Sequence, residues 1–397
     1  PPAIYYPYMH AITRNKLLLA TFIMTLLYAL HYGIPLYATS SFLATYFSST
    51  TVSALYVAGS ILTLLVSLRV TRYIRRYHTY HFTVGLVLAE IAVTLLFALS
   101  KNPLLIGLFF VLHFCIQAMI YIILNIFIET FTKHAETGAV RGIFLTLLNL
   151  GILIAPLIGG TFLSREGFEA LYIVACLALI PFLYFLHGYM KHVRDPAYHT
   201  IDMLEAAKRA WRNKNLRGAL VAMFLLESFY AVMVIYSPIY ITSLGVPLTV
   251  YLSVIMPIAL VPLILLPYEL GRLADKRYGE KEILIVGLLI MVLSLLAIIV
   301  TQSSNILVWV GILLFSRIGA ACAETMIFTY FFKKVDAEDV SLTALFSNVR
   351  SIATISIAAL GVIVSPILVT YPGLMFLLLA LMILYGITYI VPIKDTR

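Results

Sequence analysis

Short polar breaks divide this chain into twelve apolar stretches, at residues 17–47, 50–68, 80–100, 104–131, 142–163, 168–190, 218–243, 248–268, 283–301, 306–332, 342–369 and 374–393. A helix rises about 1.5 Å per residue, so about 20 apolar residues match the hydrocarbon thickness of a bilayer. No water reaches backbone N–H and C=O groups in that layer, and a helix satisfies them internally. The pattern predicts an all-α integral membrane protein with twelve transmembrane helices. Composition closes the soluble alternative: 62% of the residues are hydrophobic and 11% charged, whereas a soluble domain covers itself with roughly 25% charge.

Twelve spans place both termini on one side, and the basic residues test this. Of the 27 Lys and Arg, 23 fall in the breaks on the side of the termini, and only Lys101 and Arg165 fall in those opposite. The positive-inside rule makes that side, and so both termini, cytoplasmic. The net charge of +9 is then a product of topology, and no nucleic-acid partner is expected. The first stretch, Leu17 to Phe47, exceeds a signal-peptide core and lacks a small-residue cleavage site, so it is expected to stay in the mature chain. Cys115, Cys176 and Cys322 lie inside apolar stretches without metal-ligand spacing and read as packing residues.

The longest polar segment separates two halves. Residues 191–217 read as a cytoplasmic linker in which Ile201 to Trp211 forms an amphipathic helix, between six-helix bundles at 1–190 and 218–397. The halves echo each other. Tyr28-Ala29 and Pro35-Leu-Tyr-Ala-Thr-Ser40 match Tyr230-Ala231 and Pro238-Ile-Tyr-Ile-Thr-Ser243, and Phe131-Thr-Lys matches Phe331-Phe-Lys. All lie at an offset of about 200 residues, which argues for a parallel repeat with pseudo-twofold symmetry.

The break after the eighth stretch reads Glu269-Leu-Gly-Arg-Leu-Ala-Asp-Lys-Arg-Tyr-Gly279. It resembles the Gly-x-Leu-Ala-Asp-x-x-Gly signature of the major facilitator superfamily. Gly271 is expected to allow close helix approach, Asp275 to sit at a helix N-terminus, and Arg272, Lys276 and Arg277 to supply cytoplasmic charge, with Gly279 closing a conformational latch. The first-half counterpart, Val70 to Tyr77, keeps basic residues but lacks the Gly and Asp. In the fifth stretch, Gly151-Ile-Leu-Ile-Ala-Pro-Leu-Ile-Gly-Gly160 is similar to a pattern of the family's proton-coupled drug exporters, with Gly151, Pro156, Gly159 and Gly160 in place and Ala155 for one glycine. Such residues also suit an ordinary packing seam. The resemblance implies alternating access around a cavity lined by spans 1, 4, 7 and 10.

Ionisable side chains deep in a membrane helix cost roughly 2.5–3.5 kcal/mol each and are by default functional candidates. The second half holds Glu227, Arg317, Glu324 and Arg350. Glu227, Glu324 and Arg350 lie about 12–15 Å from the cytoplasmic ends of their helices, so they can meet at one level. Burial favours a neutral carboxyl and a nearby Arg the ionised one, so exchanging partners can move a proton. Glu227 is the first proton carrier on this reading and Glu324 the second, with Arg317 and Arg350 balancing them or binding an anion. The alternative is a structural ion-pair network. The family's usual span-4 Arg is missing here, and Gln117 stands opposite Arg317 in the repeat. Tyr28, His31, Tyr32, His113, Gln117, Tyr230 and Tyr236 are candidates for the substrate cavity, although the histidines also fit buried structural roles. Glu90 stands alone in span 3 as a structural or functional acid, and Glu129 is expected to pair with Arg141. No metal site, phosphate loop or nucleophile constellation is apparent.

These features suggest a proton-driven exporter of small amphipathic or lipophilic molecules, with no cofactor beyond the proton gradient. It is expected to act as a monomer among the lipids of a bacterial or archaeal inner membrane. An uptake symporter, an organic anion exchanger, a lipid flippase and a non-transporting sensor are the competing readings.

Overall fold

In the computed structural model, residues 11–132, 137–193, 203–274, 278–335, 340–368 and 370–394 are described, and among them the regular structure is entirely helical. Among the described residues, ten segments are long and apolar enough to cross a membrane, and Leu374–Ile390 is a shorter apolar helix. One of the ten, Val140–Met190, has 51 residues, about 77 Å of helix and far more than one bilayer crossing needs. It is interrupted at Gly167, whose φ of 79° and ψ of −167° are not helical. This glycine follows the polar Ser164-Arg165-Glu166 and marks the break read from the sequence between stretches five and six.

Asparagine sets several starts. The side chain of Asn102 accepts from the N–H of Leu104, with Pro103 in the first helical turn, and Asn305 accepts from Leu307. The helices they begin, Pro103–Phe131 and Ile306–Lys334, both have 29 residues. A cap satisfies a donor that the first turn of a helix leaves unpaired. Cap and length thus recur in the two halves at the offset of the repeat. Asn213 likewise caps Lys214–Ile235 through Asn215 and Leu216.

The chain forms two compact units. The first comprises Pro1–Phe42 and Ala58–His199, and the second Leu43–Val57 and Thr200–Arg397. The linker segment contains the helix Met203–Arg212, with Ala206 and Ala210 buried.

Small residues set the closest approaches. In the first unit, a Cβ on Gly151 would lie 2.4 Å from Ala29 Cβ, one on Gly33 2.7 Å from Ala155 Cβ, and one on Gly159 2.7 Å from the Ile34 carbonyl oxygen. In the second, a Cβ on Gly287 or on Gly319 would lie 2.7 Å from the other's carbonyl oxygen. Outward-facing apolar side chains are correspondingly bare: Leu104 is 84% and Leu307 77% exposed. Lipid covers such a surface without penalty.

Candidate functional site

The second unit gathers the four membrane charges on three helices. Arg350, on Val340–Leu368, donates from Nε to Glu227 Oε2 at 3.0 Å, the carboxylate standing on Lys214–Ile235. Glu227 is buried and Arg350 half-exposed. On Ile306–Lys334, Glu324 accepts a hydrogen bond from the Tyr230 hydroxyl at 2.7 Å. Glu324 is within electrostatic reach of Glu227, Arg350 and Arg317.

Arg317 differs from the simple picture of a partner for Glu324 two turns along the same face. It is 1% exposed, and its guanidinium carbon sits 5.5 Å from the centre of the Phe229 ring and 5.7 Å from that of Tyr230. None of its three side-chain nitrogens has a hydrogen-bond partner among the described residues. A buried cation set against ring faces, with no hydrogen-bond partner among the described residues, keeps its hydrogen-bonding capacity in reserve. Arg350 and Glu227 form an acid–guanidinium pair within this group.

Tyr236 lies in the same unit but faces elsewhere. Its hydroxyl is 2.9 Å from Ser53 Oγ, and Gly361 lies so close that a Cβ there would overlap it. Ser53 belongs to the 43–57 segment, which the sequence reading did not connect to Tyr236.

The first unit arranges its candidates differently. Tyr28 donates to the Gln117 backbone carbonyl at 3.0 Å and stacks on Tyr32 with ring centres 6.0 Å apart. The Gln117 side-chain nitrogen is buried without a partner. His31 and His113 do not lie on an open surface. Both are buried and converge on Glu90, the acid that stood alone in the sequence. These groups come from Ala11–Leu36, Thr79–Leu99 and Pro103–Phe131, and their ligand atoms lie within 4.8 Å of one another. The intramembrane Glu90 was the signal for this cluster, but sequence alone did not show which helix faces meet. Glu129 and Arg141 pair at 2.6 Å.

In the seam of the first unit, Gly151 and Gly159 lie directly against Ala29 and Ile34, and Pro156 lies within the helix. Gly160 is buried beside them. The latch segment is only partly described. Asp275, Lys276 and Arg277 fall outside the described residues. Arg272 pairs with Glu269 at 2.6 Å on the same helix. Gly271, expected to permit close helix approach, has no described atom within 4 Å of the place a Cβ would take. Gly279 does have a conformational reason to be glycine: its φ of 86° precedes the helix that starts at Glu280.

No curated protein sequence matches the chain. Solved structures resemble it throughout its length. A mutant of the nucleoside transporter NupG aligns with a TM-score of 0.73 and 13% identity, over 94% of this chain and 99% of that one. A bacterial homologue of the human lysosomal transporter Spinster, inward-facing and occupied, aligns at 0.74 and 13% identity, over 96% and 97%. The same homologue, inward-facing and unoccupied, aligns at 0.68 and 14% identity, over 96% and 95%. At such identities the likeness concerns the fold. The sequence model described as Major Facilitator Superfamily matches residues 17–358. The chain, covered by that model over most of its length, therefore belongs to the major facilitator superfamily and is a multi-pass membrane transporter of the alternating-access type rather than an enzyme.

Proposed function

We propose that this transporter exchanges protons for small amphipathic or lipophilic molecules and expels them from the cell. The observation that carries the reading is the arrangement of charges in the second unit: Arg350 holds Glu227, Tyr230 holds Glu324, and Arg317 has rings around it but no hydrogen-bond partner among the described residues. A proton reaching Glu227 removes the charge that holds Arg350 and frees that guanidinium for Glu324. Loss of the proton restores the first pair. Glu227 is thus the leading carrier and Glu324 the second. The seam of Gly151, Pro156, Gly159 and Gly160 supports the export direction through its similarity to the exporter pattern. A membrane potential of ~100 mV supplies about 2.3 kcal/mol per charge moved, enough for a roughly 40-fold substrate gradient.

The same reading takes the 51-residue segment as two crossings and Leu374–Ile390 as one, twelve in all, with cytoplasmic termini, in a monomer of a bacterial or archaeal inner membrane. Proton movement in proteoliposomes tests it, with a panel of lipophilic cations, organic anions and nucleosides. The nucleosides are included because a nucleoside transporter shares the fold. Lipophilic cations are expected to drive proton flux that Glu227→Gln abolishes while the protein stays folded. Unchanged coupling in that variant removes Glu227 from the mechanism.

A second reading, organic anion exchange or uptake, is favoured by the three Arg317 nitrogens that have no hydrogen-bond partner among the described residues. It prevails if only anions elicit flux and Arg317→Met abolishes it.

A further inference from the structure

The acid and two histidines of the first unit carry a proton count that follows from their geometry. Glu90, His31 and His113 are 0%, 0% and 3% exposed. Glu90 Oε1 lies 2.9 Å from His31 Nε2 and 2.7 Å from His113 Nδ1, and the Thr94 hydroxyl lies 3.3 Å from the same oxygen. The other ring nitrogen of His31, Nδ1, is 3.0 Å from the Ala175 backbone carbonyl. A carbonyl oxygen only accepts, so His31 Nδ1 bears hydrogen. If His31 is neutral, its Nε2 is then a bare lone pair. A carboxylate oxygen opposite it at 2.9 Å would set acceptor against acceptor.

The contact therefore requires a proton. It sits either on Nε2, giving imidazolium and carboxylate, or on Oε1, giving two neutral groups. Both forms have zero net charge and differ by the movement of one proton between two atoms. His113 needs no further proton, because a neutral ring can carry its hydrogen on Nδ1 and donate to Oε1, with Thr94 Oγ1 3.0 Å away. Removing the shared proton would leave an uncompensated carboxylate in an apolar interior, a costly state. Glu90 Oε2 already has no hydrogen-bond partner among the described residues.

The surrounding groups do not supply that compensation. From Thr137–Leu177, the Tyr172 hydroxyl donates to Thr39 Oγ1 at 3.0 Å, and Cys176 Sγ approaches the Ile91 carbonyl at 3.9 Å. From Pro103–Phe131, Cys115 meets Thr63, and Tyr28 from the first helix is engaged with the Gln117 carbonyl. Phe97 and Tyr172 flank the His113 ring. Among the described residues, the only basic side chains within ion-pair distance of Glu90 are the two histidines.

Two imidazoles and a carboxylate also form a ligand set for zinc. A dication here would leave the buried cluster with a net positive charge, whereas one proton leaves it neutral. The separations from a single shared oxygen are hydrogen-bond lengths.

We propose that His31, Glu90 and His113 form a proton-binding site inside the first unit, holding one exchangeable proton on the His31 Nε2–Glu90 Oε1 contact. Its existence does not rest on the proton-coupled reading above, although its use in transport does. The site is built from helices other than those that carry Glu227 and Glu324.

The test uses the full chain in lipid nanodiscs, with ¹⁵N-histidine NMR for the rings and infrared spectroscopy for the carboxyl. At neutral pH the expected result is either a His31 ring protonated on both nitrogens or a protonated Glu90 carboxyl band, lost as pH rises. In Glu90→Gln the amide N–H can donate to Nε2, so no extra proton is needed. His31 should then be neutral at neutral pH and the carboxyl band absent. A neutral His31 beside an ionised Glu90 at neutral pH in the unmodified protein overturns the proposal, and so does a signature that Glu90→Gln leaves unchanged. The unmodified protein suffices for the first comparison if the variant folds poorly. Elemental analysis and titration with Zn²⁺ alone should show no stoichiometric metal, and one equivalent lost in Glu90→Gln would make this a metal site instead. None of these readouts involves transport, so failure of the Glu227 assignment leaves them unaffected.

Discussion

Replacing Gly151 by Ala is expected to force two helices of the first unit apart. The added Cβ would lie 2.4 Å from Ala29 Cβ, where ordinary contact is 3.4–4 Å, so the backbones must separate by about 1 Å at that point. The strain is not confined to one atom pair. Gly33 faces Ala155 and Gly159 faces Ile34 along the same seam, each with only 2.7 Å available to a Cβ. Widening the seam loosens these contacts together, and a gap of 0.5–1 Å forfeits about a quarter to a half of each dispersion well. Overpacking of this kind costs about 1–3 kcal/mol. Thermal unfolding in a fixed detergent, run as a double-mutant cycle with Ala29→Gly, separates this clash from a general loss of helix freedom. The second substitution removes the opposing Cβ and should recover about 1 kcal/mol or more. If the two changes add to within about 0.5 kcal/mol, the residues are independent and the clash reasoning is wrong.

Other consequences follow from the same geometry. Arg317→Met should leave stability unchanged or raise it by about 1–4 kcal/mol, because an apolar side chain replaces a buried cation that lacks hydrogen bonds; a large loss by thermal unfolding would show that the guanidinium is structurally satisfied. Tyr236→Phe should cost about 0.5–1.5 kcal/mol by removing the Ser53 hydrogen bond, and Ser53→Ala should add little once the tyrosine hydroxyl is gone. Gly279→Ala should destabilise by about 1–3 kcal/mol through its positive φ, whereas Gly271→Ala, with no described atom within 4 Å of the new Cβ, should be nearly silent; equal effects in unfolding assays would contradict the assignment.

Much of the architecture was legible because lipid imposes a length on every apolar stretch and because charge marks the breaks. The interruption at Gly167 was visible as the polar Ser164-Arg165-Glu166 before it. The rotation of each helix about its axis was not visible. A soluble helix advertises its buried face with an apolar stripe, but lipid makes the outer face equally apolar. Hence His31, Glu90 and His113 could each be flagged as unusual without being joined, being spread over three helices and 83 positions. The same ambiguity affected Arg317. Its spacing from Glu324 was readable, yet the intervening Tyr230 hydroxyl and the ring of Phe229 come from another helix.

The mutual approach of Gly287 and Gly319 divides labour within the second unit. With backbone against backbone there, and with Lys333 bonded to Glu280 at 2.5 Å where the Glu280–Val300 helix begins, this helix and Ile306–Lys334 have little room to slide or twist against each other. Arg317 and Glu324 ride on that fused pair as a fixed post. Any cycle that changes their company must bring the change to them, and Arg350, half-exposed and carried on another helix, is a charged group placed to bring it.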